Sequence, residues 1–132
     1  MNHLTRLLLA GAVLATGAAC SKEPSGPVAG ALKVNLTSPN SGADGAMLLT
    51  ISGPAALTSA TAGAGLRLFG QVGSGTSNVF ALTGTLSAGT ILTIGVADVN
   101  TVIQYGASIQ GVAATANYQL RSLAGYSLTV AR

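Results

Sequence analysis

Two kinds of apolar pattern divide the chain. A continuous run, LLLAGAVLATGAA from Leu7 to Ala19, comes first, and alternation of apolar and polar positions takes over after residue 30. LKVNL sets Leu32, Val34 and Leu36 on one face, GLRLFGQV does the same with Leu66, Leu68 and Val72, and YSLTV with Tyr126, Leu128 and Val130. A period of two marks a half-buried β-strand. AMLLTIS, NVFALTGTL and TILTIGVADV are denser in Leu, Ile and Val and predict central strands, with YGASIQGVAA as a further candidate. Gly and Pro punctuate the joints at SPNSGADG, SGPAAL, GSGTSN and SAG. No segment carries a helical stripe, although ANYQLRSLAG, Ala116 to Gly125, has room for a single turn.

About seven or more short, mostly antiparallel strands joined by Gly-rich turns predict an all-β fold, a single Greek-key sandwich over residues 31–132. That length suits one core and is too short for two. With no Trp and two Phe in the chain, the core must be chiefly aliphatic.

The Leu7–Ala19 run answers to a different rule. Its 13 uncharged residues would reach about 20 Å as a helix, short of the ~30 Å hydrocarbon core of a bilayer. Arg6 precedes it, and Gly17, Ala18 and Ala19 close it with small side chains, the layout of a secretory signal. ATGAAC, ending on the only cysteine of the chain, resembles the lipobox of bacterial lipoproteins. The resemblance implies a cleaved signal over 1–19, acylation of Cys20, and attachment to membrane lipid without a spanning helix. Several acyl chains, at ~0.8 kcal/mol per buried CH₂, make a stable anchor where one does not. Ordinary signal-peptide cleavage and an uncleaved anchor are the competing readings.

Residues 20–30 follow as the lipidated cysteine and a tether, SKEPSGPVAG, whose Pro and Gly content predicts a linker. Ser21 directly after the cysteine implies, within a Gram-negative lipoprotein family, sorting to the outer membrane. The expected location is thus the cell envelope.

Charge then narrows the chemistry. Removing the signal leaves five basic residues, Lys22, Lys33, Arg67, Arg121 and Arg132, against Glu23, Asp44 and Asp98, a net charge of +2. So weak and scattered a charge argues against a nucleic-acid partner. The only histidine, His3, leaves with the signal. With Cys20 acylated, no Ser-His-Asp or Cys-His arrangement and no Cys/His zinc site can be built. Paired-carboxylate hydrolysis would need Asp44 and Asp98, yet Asp44 sits in a turn-like NSGADGA and Asp98 reads as a strand-end cap. Asp44 with Asn40, or Asp98 with Asn100, offers too few acids for a calcium loop. Gly70, Gly73 and Gly75 lack the Lys-Ser/Thr of a phosphate loop and predict a hairpin turn. The expectation is a protein that is not an enzyme, with no cofactor and no metal.

Tyr105, Tyr118 and Tyr126 are the candidate ligand-binding residues, as a stacking surface for sugar rings or partner side chains. GAMLLTISGP followed by GTILTIGVADVN is similar to the cohesin-like and Ig-like sandwich domains of exported bacterial proteins, which implies a displayed binding module. Two functions stay open: a lipid-anchored module binding a protein or polysaccharide, and a structural envelope lipoprotein without a specific ligand that self-associates weakly through sheet edges.

Overall fold

The seven predicted segments all contribute strands, and Ser59–Ala62, which the pattern did not mark, adds an eighth, seen in a computed structural model that describes residues 26–132. The signal, Cys20 and the first half of the tether lie outside the described residues. The strands are β1 Gly30–Thr37, β2 Asp44–Ser52, β3 Ser59–Ala62, β4 Arg67–Phe69, β5 Ser77–Leu86, β6 Gly89–Val96, β7 Gly106–Ala114 and β8 Ser127–Ala131. Sheet A has the order β3-β6-β1-β8 and sheet B the order β4-β5-β2-β7. All pairings are antiparallel, so the all-β sandwich is the fold. The expected hairpin turn around Gly70–Gly75 joins β4 to β5; every other connection steps between sheets.

The dense apolar runs supply three of the four central strands, β2, β5 and β6, and β1 is the fourth. Leu32, Val34, Leu92, Ile94 and Val96 from sheet A meet Met47, Leu49, Ile51, Phe80 and Leu82 from sheet B in one core. Each such side chain stabilises the fold by roughly 1.5–3 kcal/mol. A bulge adds to this: Val34 pairs with Leu92 and Asn35 with Thr90, so Ile91 is an extra residue and both Ile91 and Leu92 turn inward.

Two expectations shift. The helical turn forms at Val99–Gln104 as a 3-10 helix, because the Asp98 side chain caps it by accepting from the Asn100 amide. Ala116–Gly125 instead forms turns and one bridge, Leu120 to Ala113. The fold also begins before residue 31. β1 starts at Gly30, the Val28 carbonyl accepts from the Val99 amide at 2.8 Å, and the Val28 amide donates to Asp98 at 3.2 Å.

Candidate functional site

The two outer faces of the sandwich differ in chemistry. Sheet A presents Lys33, Asn35 and Thr37 on β1, Thr90 and Thr93 on β6, and Thr129 on β8. These are ordinary solvated side chains, with Thr90 donating to Asn35 at 2.7 Å. Across the outer face of sheet B, the register aligns Phe69, Ala81, Leu48 and Gly111 in one row, and Arg67, Thr83, Ala46 and Ala113 in the next. Leu48, Phe69, Val79 and Leu120 are exposed there. Contiguous apolar surface of this kind marks an interaction site more often than chance.

The small residues of the two rows form the floor of a cleft of about 360 Å³ between Leu48 and Leu120. That volume lies in the range of small-ligand and side-chain pockets. Leu120 makes one wall because its segment is bonded to β7: the Arg121 amide donates to Val112 O at 2.8 Å and the Ala114 amide to Gln119 O at 3.0 Å. Gly111 leaves space beneath, with the Leu120 Cδ2 3.9 Å from where a Cβ would stand.

A buried polar network fixes the same segment from the inside. Asp44 is not a turn residue, as its NSGADGA context led one to expect, but the first residue of β2 and only 1% exposed. Gly45 is an extra residue against β7, since Asp44 pairs with Ala114 and Ala46 with Ala113, and this bulge points the Asp44 side chain inward. Arg121 Nε donates to Oδ1 at 2.8 Å, and the Tyr126 hydroxyl donates to Oδ2 at 2.5 Å. Asn40 Nδ2 in turn donates to the Tyr126 oxygen at 2.9 Å. Both carboxylate oxygens of Asp44 are thus taken by Arg121 and Tyr126, and Asn40 reaches Asp44 only through the Tyr126 hydroxyl. Sequence reasoning missed Arg121; nothing in RSLAG marks it as the partner of a carboxylate 77 positions earlier.

The three candidate tyrosines do not share a platform. Tyr105 is buried at the far end of β2, against Gly53, where an added methyl would overlap its ring. Tyr126 is half-buried with its hydroxyl in the network. Tyr118 alone offers a ring to solvent, 79% exposed, from a backbone with φ 56° that is unusual for any residue but glycine. It overlooks a second cleft lined by Gly45, Ala46, Thr83, Gly84, Thr85 and Thr115, which shares Ala46 and Thr83 with the first.

Asp98 caps the 3-10 helix and holds Val28, so it is structural. Among the described residues, no group of three or more His, Cys, Asp or Glu comes together. Compared with known proteins, the chain matches no family model, no curated protein and no solved structure. The fold and this face are what define its class: a small all-β sandwich with one solvated and one largely apolar outer face.

Proposed function

We propose that the chain is a membrane-anchored bacterial lipoprotein, held in the cell envelope by acylated Cys20 and sorted to the outer membrane, whose sandwich is a non-catalytic binding module for a protein or polysaccharide. The observation that carries the reading is the largely apolar outer face of sheet B, with its cleft between Leu48 and Leu120. A sandwich buries only the inner face of each sheet, so apolar side chains on an outer face gain nothing from the fold itself. Their burial is left for a partner. The lipobox-like ATGAAC supports the anchor, and the start of the fold near Val28 puts the domain a few residues from it.

A second reading, assembly through sheet edges, is favoured by one feature. β7 pairs along its length with β2, but on its other side, among the described residues, only Val112 to Ala114 find partners, in residues 118–121. Gly106–Gly111 thus offers an edge to another strand.

Retention from detergent-solubilised envelopes separates the two. The mature chain is expected to hold a saturable partner that Leu48→Arg releases and Ile103→Arg keeps, Ile103 being 91% exposed on the 3-10 helix. Retention of nothing but copies of the chain, insensitive to Leu48→Arg, would favour edge assembly.

A further inference from the structure

The cleft below Tyr118 has a chemistry distinct from the apolar trough it opens into, and that chemistry selects among partners. The inference rests on the docking face proposed above and specifies what occupies it. Three hydroxyl side chains, Thr83, Thr85 and Thr115, line this cleft, with the Thr115 Oγ1 close over Gly45. Among the described residues, no charged side chain lines either cleft. Arg67 stands beside Thr83 in the register but outside both, and Arg121 is tied to Asp44. Among the described residues, a strongly basic partner would find no counter-charge here, and an acidic one only Arg67 beside Thr83.

Tyr118 supplies the second observation. Its left-handed backbone costs free energy that Gly, or Asn, would avoid at the same place. Its ring lies in solvent, so core packing does not offset that cost. The turn is nevertheless held on both sides: the Tyr118 amide donates to Ala114 O at 3.0 Å, the Thr115 amide to Ala43 O at 2.9 Å, and the Asn117 side chain accepts from the Gln119 amide at 3.1 Å. The Asp44–Arg121 pair holds the chain just beyond. The backbone that presents the ring needs no ordering on binding.

Sugar rings match this arrangement. A pyranose has an apolar C–H face that stacks on an aromatic ring, and a rim of hydroxyls that must both donate and accept. Threonine hydroxyls do both. An apolar peptide helix seated here would strip water from three hydroxyls without replacing their bonds, which is unfavourable. We propose that the cleft binds an uncharged polysaccharide, one sugar stacked on Tyr118 and hydrogen-bonded by Thr83, Thr85 and Thr115, with the chain continuing over Ala46 into the trough toward Leu48.

Affinity electrophoresis of the mature, detergent-solubilised chain tests this, in native gels containing hydroxyethylcellulose, mannan, galactan or arabinoxylan, with alginate as the anionic comparison. At least one neutral polymer is expected to retard the protein. Tyr118→Ala should weaken that retardation about tenfold or more, whereas Tyr118→Phe, which keeps the ring, should stay within about threefold. Tyr118→Gly separates binding from folding, because it relaxes the turn and removes the ring. Ile103→Ala should behave as the parent. No retardation by any of the four neutral polymers overturns the proposal, as does retardation by alginate alone, or retardation that Tyr118→Ala leaves unchanged. If an envelope protein is retained in a Leu48-dependent way while all four polymers fail, the glycan is overturned and the docking face stands; if both fail, the face falls too.

Discussion

Arg121 places its Nε 2.8 Å from the buried carboxylate of Asp44, joining the start of β2 to the last connection of the chain. The two differ in setting: the Asp44 side chain is 1% exposed, whereas that of Arg121 is 31% exposed. Removing one or the other therefore has unequal consequences.

Arg121→Met leaves a buried carboxylate with only the Tyr126 hydroxyl for compensation. Breaking a buried pair from one side costs about 3 kcal/mol or somewhat more, a fall in Tm of more than about 10 °C for a domain of this size. Asp44→Asn, which removes the buried charge and lets Arg121 turn to water, should cost less. Adding Asp44→Asn to Arg121→Met should recover part of the loss. Thermal melts followed by circular dichroism check the order; equal stability of parent and Arg121→Met would show the network to be incidental.

Tyr118→Gly is expected to leave Tm unchanged or raise it slightly. A left-handed residue with a side chain carries a cost of roughly 1–2 kcal/mol, while the glycine's extra freedom in the unfolded chain takes back about 0.4–1 kcal/mol. The same melts measure this. A marked loss of stability would mean that the ring packs against something the fold needs.

At the other end of β2, Gly53 is a packing requirement. A methyl group there would overlap the buried ring of Tyr105, so Gly53→Ala must displace it. Overpacking of this kind costs about 1–3 kcal/mol. Urea titration should show a lower midpoint with an unchanged slope. Gly53→Ala paired with Tyr105→Leu should be less destabilised than the two separate losses added together.

For the anchor, Cys20→Ser should abolish metabolic labelling by palmitate and leave a larger, unprocessed precursor. Labelling that survives the substitution would contradict acylation at this residue.

Much of the fold was legible because alternation is a local signal. LKVNL and YSLTV carry the faces they show in the structure, with Leu32, Val34 and Leu36 all buried, whereas GLRLFGQV is a strand only over Arg67–Phe69 and Val72 lies in the connection that follows. The apolar outer face of sheet B was present in the sequence in another form. Met47-Leu48-Leu49 and Val79-Phe80-Ala81-Leu82 break the alternation with apolar residues on both faces. Such runs announce a central strand, and they also announce that its outer face is apolar. Only the pairing of the sheets shows that Leu48 and Val79 end up facing outward. The Asp44 network was not legible, since it depends on a bulge at Gly45 and on a loop returning from residue 121. Tyr118 was picked out together with Tyr105 and Tyr126 by residue type alone, and burial separates them.

The most direct test of the binding-face account is photo-cross-linking in intact cells, with a benzophenone amino acid placed at Leu48 on the outer face of sheet B or at Lys33 on the outer face of sheet A. Benzophenone inserts into C–H bonds of protein and glycan alike. The account predicts a discrete, light-dependent adduct from position 48 and none from position 33. Equal labelling from both positions, or an adduct from position 33 alone, would contradict it.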